Sequence, residues 1–260
     1  MRYLPRESPG VSYTLEYVMG NLFDWLEWRG DISFRQVPFG EVDNLALSVL
    51  AYVPLEGMVP SLDSRKGISI REASALFFRN KEALALLRDE KDKLFLQALA
   101  ASERFGPLEI FACESCLDSE TETQFAAFTI DTGDRHLFLA FRGTDPSLIG
   151  WKENFNMCFM QSVPSQRAAV RYVEALARMR RGRLRLGGHS KGGNLAVYAA
   201  AFAPHRVQRR IASVWNNDGP GFNAQVVKSK GYLGLRRRMF SFIPQSSVVG
   251  MLLEHEEAFA

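Results

Sequence analysis

The sequence predicts an α/β fold: a mostly parallel sheet, helices on its faces and a helical N-terminal region. Three observations carry this. The second half alternates strand-like and helix-like segments, which implies βαβ units. The first hundred residues are mainly helical in pattern. Between 183 and 203, RLRLGGHSKGGNLAVYAAAFA takes a short apolar run into four glycines around one serine, then straight into an alanine-rich helix.

Taken in order, residues 11–56 show apolar groups at helical spacing in YTLEYVMGNLFDWLEW and VDNLALSVLAYV. The intervening GDISFRQVPFGEVDN is rich in turn residues and is expected to include a short strand. MVPSLDSRKG reads as a connector, and 70–105 as one or two amphipathic helices. LEIFACESCLD, QFAAFTIDTGD and HLFLAFRGTD are short β-type runs bounded by Gly, Asp and Thr, able to pair as antiparallel neighbours. An irregular stretch and a strong helix, SQRAAVRYVEALARMRR, lead to the serine segment. IASVWNND then reads as a strand, NAQVVKSKGYL as a helix, RMFSFIP as a strand and QSSVVGMLLEHEEAFA as a helix. The expected division is a helical region over 1–105, packing on or capping a core over 106–260.

At 260 residues, 47% hydrophobic and 23% charged, the chain has the make-up of a soluble globular protein. A net charge of +3 gives no case for nucleic acid. No apolar run approaches the ~18 residues that span a bilayer. The N-terminus lacks a secretory layout, and three cysteines make no disulfide framework. A cytoplasmic location is the expectation. No cofactor or metal is called for. Cys113 and Cys116 form a single C-x-x-C on a predicted strand, which reads as two ordinary thiols.

Gly188-His189-Ser190-Lys191-Gly192 fits G-x-S-x-G, the nucleophile elbow of α/β-hydrolases. The reversal from strand to helix is so tight that side chains two positions either side of the serine would collide with their neighbours. The serine hydroxyl is left exposed at the strand end. The Lys191 backbone N–H, at a helix N-terminus, is aimed at an incoming oxyanion. A Gly-rich turn serving close packing alone is the plain alternative.

Upstream, AFRGTD at 140–145 ends another strand. The order FRGT, GWKENFNMCFM, GHSKGG resembles the lipase class typified by fungal triacylglycerol lipases, over about residues 107–253. The layout, with PFGEVDNLALSVLAY in its helical leader, is similar also to an uncharacterised bacterial family of lipase-like α/β-hydrolases. The resemblance implies Ser190 as nucleophile, with the Lys191 amide and Thr144 as oxyanion donors. Thr144 as a simple turn residue is the other reading. It also implies a cap over GWKENFNMCFMQ, with Trp151, Phe155, Met157, Phe159 and Met160, for which a core-packing loop and short helix is the other reading, and a chain here that lacks the family's last strand.

An acyl-serine mechanism needs a base and an acid, in the chain order Ser, Asp or Glu, His. Asp218, ending IASVWNND, is the candidate acid, with a turn role at DGPG as its alternative. The lipase family places its acid one strand later, where this chain has Gln245, Ser246 and Ser247. His189 lies inside the elbow, where the resemblance points its ring away from the serine. His136 and His205 are out of place. His255 alone has the right order, yet sits among Glu254, Glu256 and Glu257, as a solvated helix end would. Two functions are therefore expected to compete. One is a serine esterase or lipase acting on a small-molecule or lipid ester. The other is a catalytically incomplete protein of the same fold that binds a lipid or protein partner. The basic runs 178–185 and 235–240 suit helix ends, with contact to a membrane surface as a second use.

Overall fold

The computed structural model describes residues 21–244, apart from 65, 146, 158 and 159. The last expected helix, with His255, lies outside the described residues, as does any strand after 244.

Helix α1 (Leu22–Arg29) starts on Asn21, whose side chain accepts the Phe23 and Asp24 amides while the Asp24 carboxylate takes the Asn21 amide. Helix α2 (Glu41–Leu50) follows a loop with no strand in it. The expected strand is replaced by turns because the loop's carbonyls find another donor. The buried Arg104 guanidinium takes those of Ile32, Val37 and Pro38, and clasps Asp43 at 2.6 and 2.7 Å. A two-residue strand β1 (Ile68–Ser69) precedes α3 (Ile70–Phe77), capped by Ser69 and Glu72. Helices α4 (Lys81–Ala85) and α5 (Glu90–Ala101) start on Asn80 and Asp89.

The antiparallel neighbours follow as expected: β2 (Glu109–Asp118), β3 (Thr123–Asp131) and β4 (His136–Phe141). A bulge at Ala112, φ 54°, puts Phe111 and Ala112 toward one core and Ile110 and Cys113 toward the other. Helices α6 (Leu148–Met157) and α7 (Pro164–Met179, proline at its first turn) lead to β5 (Arg183–His189) and α8 (Lys191–Phe202). Then come α9 (His205–Gln208), β6 (Ile211–Asn217), α10 (Ala224–Val227), α11 (Lys230–Leu235) and β7 (Met239–Phe242). The helix expected over NAQVVKSKGYL is thus two short ones. Ser229 ends the first and caps the second through the Tyr232 amide.

The seven strands lie side by side in chain order. Strands β4 to β7 are mutually parallel and β2 shares their direction, while β1 and β3 oppose it. Alternate residues of β4 split between two cores. Leu137, Leu139 and Phe141 pack with α7 and α8, and Phe138 and Ala140 with the N-terminal helices. The leader therefore covers one face of the sheet. Arg142 fastens it: its guanidinium donates to the Ala51 and Val53 carbonyls and pairs with Glu56 at 2.8 Å. Among the described residues no helix is long and apolar enough to cross a membrane.

Candidate active site

Ser190 joins β5 directly to α8 with φ 56° and ψ −131°, a backbone region that a non-glycine residue occupies only under strain. The turn is closed by the Ser190 amide on the Asn217 carbonyl at 2.8 Å and by the Gly193 amide on the Ser190 carbonyl at 2.9 Å. The glycines are there for space. A Cβ on Gly188 would lie 2.3 Å from the Gly192 carbonyl carbon, and one on Gly192 would lie 2.1 Å from the Phe141 oxygen. Ser190 is half-buried, and among the described residues its hydroxyl has no hydrogen-bond partner. The Lys191 amide is the first of α8, with no helical carbonyl behind it.

Parallel pairing sets Phe141 opposite Gly188, so FRGT and HSK leave adjacent strand ends together. Gly143 is pressed between the Tyr52 hydroxyl and the His189 carbonyl, which would stand 2.0 and 2.6 Å from an added Cβ. Next to it, the Thr144 hydroxyl is buried and has no partner among the described residues. Buried hydroxyls are nearly always hydrogen-bonded, so an unmatched one beside a strained serine suits a group held for a ligand oxygen.

Asp218 directly follows β6, the neighbouring strand, in the left-handed region at φ 57°, which Asp tolerates better than most residues. Its amide donates to the Phe242 carbonyl at 2.8 Å, tying β6 to β7. Asp218 also borders the site, its charge acting on the His189 imidazole. Asp218, Asn217, His189 and Glu41 line a pocket of about 450 Å³ whose remaining walls are the apolar side chains of α1, α2 and the segment 242–244. An apolar cavity with a few converging polar groups is the usual form of a small-molecule site.

The His189 ring is engaged with Tyr52, whose hydroxyl lies 2.9 Å from Nδ1. Burial lowers the His189 pKa, Asp218 partly opposes this, and Arg88 adds to the lowering. Burial likewise pushes the Tyr52 phenol up to about 12, so it stays protonated. His136, at the start of β4, pairs in register with Arg183 at the opposite edge of the sheet, and His205 opens α9. Neither approaches the serine's edge. Cys113 is buried, with its thiol pushed up to about 12 chiefly by burial, and Cys116 is exposed. Among the described residues no group of three His, Cys, Asp or Glu side chains is arranged for a metal. Several arginines of the basic runs have partners: Arg178 with Glu174, Arg185 with Asp134, and Arg238 with the Gln208 and Ile211 carbonyls.

The stretch after FRGT forms α6. Leu148, Trp151 and Phe155 face outward, while Gly150, Glu153 and Met157 are buried. Sequence reasoning did not find the role of Glu153. Its carboxylate and the Lys191 ammonium are both fully buried, 2.9 Å apart. The available signals were the buried spacing of 150, 153 and 157 and a lysine directly after the nucleophile. Burial lowers the Lys191 pKa, and the Glu153 charge opposes that shift.

Among solved structures the chain is similar to a fungal lipase in complex with an inhibitor. The identity is 15%, the TM-score 0.42, and the likeness covers 60% of this chain and 62% of that one. It is similar also to M37 lipase, at 14% identity and a TM-score of 0.45, covering 76% of this chain and 66% of that one. The chain thus spans about two thirds of the length of these lipases. No curated protein matches it. The family model described as Mbeg1-like matches residues 99–260, more than half of the chain, including Thr144, Ser190, Lys191 and Asp218 but not Tyr52 or the pocket walls from α1 and α2, and the chain belongs to that family.

Proposed function

We propose that this chain is a serine hydrolase of esterase or lipase type. The observation that supports this most is Ser190: a strained serine at a strand-to-helix elbow, its hydroxyl and the Thr144 hydroxyl beside it both without a partner among the described residues. In this reading the Ser190 oxygen attacks an ester carbonyl while a histidine takes its proton. The Lys191 amide and Thr144 hold the oxyanion. The alcohol then leaves with that proton, and water hydrolyses the acyl-serine. Asp218 orients the base, for which His255 has the required chain order. The apolar pocket beside Asp218 receives the hydrocarbon part of the ester.

A fluorophosphonate probe should label the protein, and Ser190→Ala should abolish labelling. Labelling that persists in the variant defeats the assignment. His255→Asn should stop ester turnover and His189→Asn should not; the reverse result would move the base to His189. A second reading, a catalytically incomplete protein of this fold that binds a lipid or protein partner, is favoured by one observation. Among the described residues no imidazole meets the Ser190 hydroxyl. Turnover of short acyl esters by the 260-residue chain would exclude it.

A further inference from the structure

Two opposite charges removed completely from water are costly unless every hydrogen-bonding position is filled. Here all three ammonium donors are taken and both carboxylate oxygens accept. The three protons of the Lys191 ammonium meet three oxygens: the Gln124 backbone carbonyl at 2.7 Å, the Gln124 side-chain oxygen, and Glu153 Oε2 at 2.9 Å. Glu153 Oε2 also accepts the Gln124 amide at 3.1 Å, and Oε1 accepts the Ser165 amide at 2.8 Å. The Gln124 side-chain nitrogen donates to the Gly143 carbonyl at 3.3 Å. One dry network thus joins the elbow, the FRGT segment, α6 and the start of α7. Gly150, on the same buried face of α6 as Glu153, rests on Thr144, since a Cβ there would lie 3.1 Å from Thr144 Cγ2.

We infer that Lys191 and Glu153 are positioning residues. Their pair fixes α6 as a permanent wall of the oxyanion site and sets the Thr144 hydroxyl against the Lys191 amide. The inference rests on the serine-hydrolase reading and adds to it that α6 does not swing away during turnover. Lifting it would part the Glu153 carboxylate from the Lys191 ammonium and from the Gln124 and Ser165 backbone amides, and leave the ammonium with the two Gln124 oxygens and no counter-charge. Lys191 then serves twice, with its amide toward the oxyanion and its side chain toward the cap.

Lys191→Met/Glu153→Gln removes both charges at nearly constant volume and keeps the main chain of the elbow. If the pair only stabilises the fold, the folded double variant should react like the parent. If it positions the site, the variant should be labelled by fluorophosphonate on the order of 10–100-fold more slowly. Its KM for a short ester should stay within about twofold, the loss falling on kcat. Labelling at the parental rate by a folded double variant would overturn the proposal. Hydrogen exchange on the unmodified chain tests it without any variant. The amides of α6 should be protected to the level of α8, and free exchange there would overturn the proposal even if the double variant does not fold. A parent chain that no probe labels would instead count against the hydrolase reading, and α6 exchange would still decide the attachment.

Discussion

Thr144 carries a buried hydroxyl with no partner among the described residues, an arrangement that folding on its own does not favour. Leaving such a group unmatched costs about 1–3 kcal/mol. Thr144→Val keeps the shape and removes the hydroxyl. It should leave stability unchanged or raise it by about 1 kcal/mol, while lowering turnover by about 10²–10³-fold as loss of an oxyanion donor does. Denaturant unfolding and steady-state rates on the same preparation check both halves. A parallel fall in stability and rate would make Thr144 a structural residue. The same scale shows what short motifs reveal. Ser190 and its glycines were legible because the elbow's backbone admits few residues at each position. The Lys191 side chain was not, because its partners Gln124 and Glu153 come from distant segments, and no local pattern announces a buried pair.

Elements meet at His189, which ends β5 and joins it to the residues just after α2 through the Tyr52 hydroxyl. The folded state lowers the imidazole pKa, chiefly by burial, so the unfolded chain binds a proton more readily. Stability should therefore be flat in this respect above the ordinary imidazole range. It should fall as the pH drops through about 6.5, and level off below the lowered folded value. His189→Gln, able to accept from Tyr52, should flatten that part of the curve. Urea midpoints for parent and variant between about pH 8 and pH 5 give the comparison, and parallel curves would remove His189 as the cause. Element boundaries were harder to read than element types. The periodicity of β2 to β4 and of α7 and α8 marked them clearly. The Ala112 bulge, the Ser229 break and the strandless loop before α2 depend on turn geometry and on Arg104, which approaches that loop from after α5.

On the scale of the molecule, the family match begins at residue 99, inside α5, yet the sheet is covered on one face by what precedes it. Ile110, Phe128, Ile130, Phe138, Ala140 and Trp215 share a core with Leu47, Leu50, Phe77 and Leu96 from the leader. A chain of 99–260 alone would expose that apolar face, and exposed patches of this kind drive association. It would also strip Arg104 of Asp43, and Arg142 of Glu56 and the Ala51 and Val53 carbonyls. Arg142 lies within the site's scaffold, between Phe141 and Gly143 of the FRGT turn. The 99–260 fragment should accordingly aggregate or melt without a cooperative transition, and supplying 1–98 as a separate chain should restore solubility and labelling of Ser190. Cooperative thermal unfolding of the isolated fragment, with the serine still reactive, would show that the leader is an accessory to the elbow. Its failure would mean that the elbow's strained geometry is held from the leader's side of the sheet as well as from α8.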